Sequence, residues 1–404
     1  MIDKLVLRCD FHKVGYPARW PNFHLVELGV PLEQSVNRDG QVFRTRHPWE
    51  SIPSSYESMA FKIFDNRYDG LDQFYIEIQA SPAKLMLGHN VFGSDDFYDC
   101  CQTLIDLLCT TYPELVPYLD FDSWCLRHID ITYSSRAKDD REARAFINAL
   151  GNVSFGQTKS RTGYDGTAYF GKKNSRLKKI KVYLKPAEVK ETIRRNVSKP
   201  DGELLNEVYT PELLDYSTAL IRWEVSLYHR YFERLGISLR LDDIFHNNSF
   251  APNHLQTYWQ LATLDLFTAL KGQTMKIVKD TDIQDQLRAK FAKVGKTGKV
   301  STALADAAFR TYREIRRDGW SVVIDLMTTS SGQRGTFNRH VKMLTECGLS
   351  RAALQNMNGL NDGADIIPFV RFIEVDFGAQ FPGWYQPEPP RHVYQRAPLL
   401  RLVA

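Results

Sequence analysis

The stretch Thr167–Glu188, TAYFGKKNSRLKKIKVYLKPAE, places one tyrosine among many lysines. Thr167–Phe170 and Lys179–Lys185 read as the two strands of a β-hairpin, with Gly171–Arg176 as the turn region. In the second strand Ile180, Val182 and Leu184 fall on one face, and Lys179, Lys181, Tyr183 and Lys185 on the other. Lys172, Lys173, Arg176 and Lys178 lie close by in sequence. A free phenol titrates near ~10, so only about 0.1% is phenolate at neutral pH. Neighbouring ammonium groups favour the phenolate and also hold a polyanion. The chemistry this suggests is attack by Tyr183 on a phosphate of nucleic acid. The plain alternative is an amphipathic strand with a solvated lysine face and an ordinary surface tyrosine.

Three other segments put reactive side chains opposite an apolar face. Phe74–Ala80 carries Glu77, Leu126–Ser134 carries His128 and Asp130, and Ile221–Tyr228 carries Arg222 and Glu224. If these strands share one sheet with helices on its apolar side, the polar residues share the open face. Carboxylates with one imidazole form an oxygen-rich set that suits Mg²⁺ or Mn²⁺ better than zinc. Such a cation would polarise a phosphate for attack by Tyr183. Taken singly, each residue has a plainer role: a solvated glutamate, a structural histidine, a surface Arg222–Glu224 ion pair.

The elements that must position these residues divide the chain in two, as expected for 404 residues. Hydrophobic content of 43% and aromatic content of 12% belong to a folded protein. The net charge is only +4, so affinity for nucleic acid must come from local patches. The six cysteines form no metal-type spacing and point to reduced thiols in a cytoplasmic protein. The charged N-terminus is no signal peptide, and no run approaches the roughly 18 apolar residues of a membrane span.

Up to about residue 245 the pattern is strand-rich. Leu5–Phe11 and Ala60–Phe64 are further strands, and Asp95 or Asp96 caps a helix that follows. Asp139–Leu150, Ala187–Val197 and Pro211–Ala219 read as helices, and Gly151–Gly166 and Ser198–Glu207 as loops. Beyond this point Leu255–Leu270 is helical, and Ser301 caps a helix ended by Gly319. Thr336–Cys347 and Leu349–Met357 are helices around Gly348, Ile366–Phe377 alternates like a strand, and Gly378–Ala404 is a loose Pro-rich tail. Thr336–Ala353 has the pattern of a helix-turn-helix element, from which Arg339, His340 and Lys342 could reach DNA; a plain helical hairpin is the alternative. The fold class is α+β: an antiparallel-sheet domain over residues 1–245, a mainly helical domain over 246–385, and a tail over 386–404.

Long strings of the chain resemble the gene II replication-associated proteins of filamentous bacteriophages. They include HPWESIPSSYESMAFKI at His47–Ile63, EIQASPAKLMLGHNVFG at Glu77–Gly93, RHIDITYSSRA at Arg127–Ala137, VYLKPAE at Val182–Glu188 and IPFVRFIEVDFGAQFPGWY at Ile367–Tyr385. The resemblance implies a rolling-circle initiator, a metal-dependent endonuclease that nicks the viral strand at the origin. Such an enzyme forms a 5′-phosphotyrosyl link, leaves a 3′-hydroxyl primer and later rejoins the displaced strand. The nucleophile of the family falls on Tyr183, flanked by Lys181 and Lys185. Similarity to plasmid initiators and the wider HUH nucleases makes Asp130, Glu77 and Glu224 metal-ligand candidates. Family members tend to carry Arg at the position of His128, which makes Asp130 the stronger ligand. The implied partners are duplex origin DNA that is locally melted, single-stranded DNA, and the host helicase and polymerase. The resemblance allows a dimer on DNA and implies the host bacterial cytoplasm. It also implies a shorter product started at Met275. A non-catalytic origin-binding protein is the rival reading.

Overall fold

The structure, a computed structural model, describes residues 1–12, 29–65, 74–151, 153–155, 158–162, 167–172, 174–270, 280–294, 298, 300–329, 334–349, 351–355 and 369–394. Its strands are β1 (Ile2–Asp10), β2 (Glu33–Val36), β3 (Val42–Arg46), β4 (Glu50–Pro53), β5 (Ser58–Asp65), β6 (Phe74–Ala80) and β7 (Cys125–Arg136). They continue with β8 (Ser154–Phe155), β9 (Thr158–Thr162), β10 (Thr167–Phe170), β11 (Lys178–Leu184), β12 (Leu220–Tyr228), β13 (Lys293–Val294) and β14 (Val300–Ser301). The helices are α1 (Pro82–Leu87), α2 (Phe97–Thr111), α3 (Asp140–Gly151), α4 (Lys185–Asn196), α5 (Gly202–Glu207), α6 (Pro211–Ser217), α7 (His229–Arg234) and α8 (Leu241–Asn247). After them come α9 (Pro252–Leu270), α10 (Asp280–Phe291), α11 (Ala303–Asp318), α12 (Trp320–Thr329), α13 (Arg334–Glu346), α14 (Arg351–Gln355) and α15 (Val370–Ile373). The fold is α+β. Among the described residues no helix is long and apolar enough to cross a membrane.

Two compact units share the chain. One joins residues 1–134, 171–263 and 376–404; the other joins 135–170 and 264–375. The division therefore departs from the expected boundary at residue 245.

In the first unit the strands run β4-β5-β6-β1-β7-β12-β11. Alternation builds this sheet: Leu5, Leu7, Ile76, Ile78, Ile129 and Ile131 are all buried, because every second side chain of a strand points to the same side. Helix α2 covers β1 and β6 with Cys100, Cys101, Leu104, Ile105 and Leu108 buried. Asp96 is its N-cap, and its carboxylate accepts from the Asp99 amide at 2.9 Å, which satisfies one of the orphan amides of the first turn. The pairing of β1 with β7 slips between Val6↔His128 and Leu7↔Leu126. That bulge leaves Arg127 as the extra residue. Leu126 consequently lies buried and does not share the face of His128, whereas strict alternation predicts that the two share it.

In the second unit the strand order is β10-β9-β8. Phe146 of α3 lies 5.6 Å from Phe369 and 4.4 Å from Phe372, centroid to centroid. A separate core joins Ile283 and Leu287 of α10, Ala308 and Tyr312 of α11, and Phe337 and Leu344 of α13.

Several sequence expectations are corrected. The expected loop Gly151–Gly166 contains β8 and β9, and the expected loop Ser198–Glu207 contains α5. Thr302, not Ser301, is the N-cap residue of α11. Val370–Ile373, inside the segment read as strand-like, is helical. The tail is not loose as far as residue 394: Gln380 pairs with Ser134, accepting from its amide at 2.8 Å and donating to its carbonyl at 3.1 Å. The His392 amide donates to Asp99 at 2.8 Å. The local sequence hides such tethers because each one depends on a partner far away in the chain. Met275 lies outside the described residues.

Phe337 is fully buried and meets the Trp320 ring edge-on at 4.9 Å. Phe337→Ala is expected to cost ~3–5 kcal/mol in the helical unit. Urea unfolding followed by far-UV circular dichroism checks this: the midpoint of the helical unit should fall.

Candidate active site

Strands β11 and β12 set the site through their antiparallel register: Lys179 faces Ser226, Lys181 faces Glu224, and Tyr183 faces Arg222. The Lys181 ammonium lies 3.2 Å from Glu224 Oε2 and 4.1 Å from the centroid of the Tyr183 ring. The neighbouring strand β7 adds His128, whose Nε2 donates to Asp130 Oδ1 at 2.7 Å. The His128 ring stacks on Tyr228 with centroids 4.4 Å apart. The register places Tyr183, Lys181 and Glu224 on one face of the sheet, and the hydrogen bond of Asp130 with Ser226 and the stacking of His128 on Tyr228 bring these two onto the same face.

The electrostatics of Tyr183 run opposite to expectation. Its side chain is only 5% exposed. Burial, with the carboxylates of Glu224 and Asp3 nearby, drives the phenol well above its ordinary range, and Arg222 only partly opposes this. A lysine-rich sequence predicts a stabilised phenolate, but desolvation penalises the charged form more. Burial also works to raise the Asp130 carboxyl. The hydrogen bond and charge of His128, with a second hydrogen bond from Ser226, overcome this and hold it low. Glu224 is pushed up to about 7 by burial, with Lys181 opposing and Asp130 and Asp3 adding to the rise.

Other residues picked from the sequence occupy different places. Lys185 does not end the strand; it heads α4 and is completely buried. Its ammonium donates to Asn90 Oδ1 at 2.8 Å and to Glu188. Burial lowers it to about 8, and Lys185 in turn holds Glu188, against its burial, at about 2. Arg222, 1% exposed, donates to the Val91 carbonyl and to Met1 Sδ. It serves the interior and cannot contact DNA from there. Lys178 donates to the Ala262 carbonyl at 2.8 Å, so it is held to the helix side of the sheet.

Glu77 shares the open face but not the site. It faces Arg8 on β1, whereas Asp130 faces Lys4. Four residues along the strand and two strands across put the two carboxylates on the order of 15 Å apart. Glu77 instead neighbours Arg127, Arg8 and Lys62. Lys179 sits with its ammonium 5.0 Å from the Tyr228 ring centroid. Lys172 and Arg176 are exposed, and Lys173 lies outside the described residues. In the helical unit Arg339 and Lys342 are exposed, whereas His340 is buried against Thr311 at 2.8 Å and is not presented to DNA.

Sequence reading missed Asp3, Asn90 and Glu188. Asn90 Nδ2 donates to Asp3 at 2.9 Å, which joins Asp3 through Asn90 to Lys185 and Glu188. The one local signal was the Lys185–Glu188 spacing of three on a helix. Among the described residues no three His, Cys, Asp or Glu side chains close into a cation site. The donor chemistry nonetheless offers a hard divalent ion the Asp130 carboxylate, which His128 and Ser226 hold ionised.

The shift of Glu224 has a consequence for stability. Its carboxyl titrates near 7 in the fold against an ordinary 4.5, so between those values the native chain keeps a proton that the unfolded chain has lost. Its contribution is therefore full below ~4.5 and lost as pH rises through ~7, up to about 3 kcal/mol. Urea unfolding at pH 5 and pH 8 should show this decline in the parent chain. Glu224→Gln, which cannot ionise, should lack it.

Residues 1–248 match the family model for the N-terminal region of the phage replication-associated protein encoded by gene II, and residues 295–390 match the model for its C-terminal region. The replication-associated protein of Enterobacteria phage f1 is 34% identical, with 95% of this chain and 98% of the relative aligned. That of Salmonella phage IKe is 34% identical over 95% and 96%. That of Enterobacteria phage fd is 33% identical over 95% and 98%. No solved structure matches the chain. With both family models matched and full-length relatives aligned from end to end, the chain belongs to the gene II replication-associated protein family of filamentous phages.

Proposed function

We propose that this chain is a phage rolling-circle replication initiator that nicks origin DNA through Tyr183 and later rejoins the strand. The observation that carries this reading is the grouping of Tyr183, Lys181 and Glu224 beside the His128–Asp130 pair, on one sheet face of a replication-associated protein. Tyr183 Oη attacks phosphorus, a P–Oη bond forms, and the bond to the 3′ oxygen breaks. The 5′ phosphate stays on the tyrosine, and the released 3′ oxygen takes up a proton. Glu224 is suited to receive the phenol proton, because its carboxyl titrates near neutrality. Lys181, lying over the ring, stabilises the developing phenolate. Asp130, which stays ionised, and His128 would hold Mg²⁺ or Mn²⁺, which when bound supplies Lewis-acid polarisation of the phosphate. Lys185 acts as a positioning residue: buried with Asn90 and Glu188, it fixes the turn from β11 into α4 just after the nucleophile. Rejoining reverses these steps, with a 3′-hydroxyl attacking the phosphotyrosyl bond and no ATP consumed.

One observation favours the rival, a protein that binds the origin without cutting it: the phenol is buried and far from ionising. Labelled supercoiled origin DNA with Mg²⁺, run on a denaturing gel, separates the two readings. We expect a covalent protein–DNA adduct with the parent chain. Tyr183→Phe should form none and keep its DNA affinity. An adduct that survives the substitution moves the nucleophile to another tyrosine, and no adduct from the parent favours the rival.

Asp130→Asn should raise the Mg²⁺ concentration needed for half-maximal nicking, because one ligand charge is lost. Glu77→Gln, on the order of 15 Å away by strand geometry, should leave that requirement unchanged. A Mg²⁺ titration of initial nicking rates on all three chains reads both outcomes together.

A further inference from the structure

The other half of the open face carries a stacked column that the chemistry above does not use. Arg8, Tyr75 and Phe64 come from the adjacent strands β1, β6 and β5, where Phe64 faces Tyr75 and Lys62 faces Glu77. The Arg8 guanidinium lies 3.7 Å from the Tyr75 ring centroid. Tyr75 stacks on Phe64 at 4.8 Å and 14°. Trp49, just ahead of β4, meets Phe64 edge-on at 6.3 Å, and the Lys62 ammonium lies 5.1 Å from the Phe64 centroid. Arg8 stands on the same side of β1 as Lys4 and Val6, whose partners are Asp130 and His128. The column and the candidate active site thus occupy one continuous surface.

We infer that this column is a binding track for single-stranded DNA, with the Trp49 indole as its base-stacking end. The inference rests on reading the same face as the site of DNA chemistry. Trp49 is 45% exposed, a large apolar ring presented to water at the end of a column that also carries Lys62 at Phe64 and Arg8 at Tyr75, with Arg127 beside Glu77 on the same face. Unpaired bases offer free faces for such a ring, and stacking on aromatic groups is a main source of single-strand affinity. In a duplex those faces are already covered, so the track discriminates for the melted strand. The cations are partly neutralised. Arg8 bonds Asp10 at 2.8 Å, and Arg127 lies 3.9 Å from Glu77. Two carboxylates against three cations leave little net charge, so stacking rather than phosphate attraction must carry the affinity. Glu77 then acts as a positioning residue that fixes Arg127 at the border of the track.

The test measures binding by the full-length chain in EDTA, where metal-dependent cutting is off. Fluorescence anisotropy is recorded with a labelled oligothymidylate and with a duplex of equal length. Trp49→Ala should weaken single-strand binding on the order of ten-fold. The slope of log affinity against log salt should stay unchanged, because no phosphate contact is lost. Duplex binding should not move, and Trp49→Tyr should restore most of the loss. Unchanged single-strand affinity in Trp49→Ala, or an equal loss for duplex and single strand, overturns the inference. Adduct formation by the parent chain with Mg²⁺ is scored separately, so failure of the track and failure of the nicking reading are distinguishable.

Discussion

The register of β11 against β12 is the constraint on which the candidate site depends. It sets Lys181 opposite Glu224 and Tyr183 opposite Arg222. A slip of one residue would turn every side chain of β11 to the other face, carrying Lys179 and Lys181 into the core and Ile180 and Val182 out of it. Two contacts beyond the strands hold the register. Arg222 is drawn inward to the Val91 carbonyl and Met1 Sδ, and Lys185 is drawn into the Asn90–Glu188 pair at the start of α4. Each is a buried cation with at least one partner from a distant part of the chain, Val91 and Met1 for Arg222 and Asn90 for Lys185. Displacing either leaves a buried charge without a partner, which costs far more than an exposed ion pair contributes.

The same burial shapes reactivity. Tyr183 is flanked by lysines in sequence and keeps Lys181 over its ring, yet burial and the carboxylates of Glu224 and Asp3 outweigh the nearby cations, and the phenol stays protonated. A phenol in that state cannot act as a nucleophile until positive charge arrives or a base accepts its proton. Glu224 answers the second need because burial and the nearby Asp130 and Asp3 raise it to about 7. Asp130, bonded to His128 and Ser226, stays ionised. Two carboxylates close together on one face are therefore pushed apart in proton affinity, one poised to exchange a proton and the other fixed as an anion. This is the division of labour expected of acid–base and ligand roles.

Affinity and chemistry are drawn from different physical sources on this face. Around Tyr183 the dominant interactions are charge against charge at short range. Around Trp49 they are ring against ring, with cations largely matched by Asp10 and Glu77. In the proposed reading the first depends on protonation and on a metal, and the second on whether bases are free to stack.

Sequence alone determined the alternating strands β6, β7, β11 and β12 and the common face of Tyr183, Glu224, Asp130 and Glu77, because side-chain direction along a strand follows a period of two. It also marked the Asp96 cap, since capping needs only a few adjacent residues. Tertiary structure alone decided which of those residues meet. Glu77 and Asp130 look equivalent in sequence, but the strand between them offsets their levels. Arg222 and Lys185 read as surface cations, and only their distant partners Val91 and Asn90 show them to be interior. The sign of the Tyr183 shift was likewise hidden. Composition counts nearby lysines, whereas proton affinity depends on how much water the fold removes and on which charges it brings within reach, and both are properties of packing.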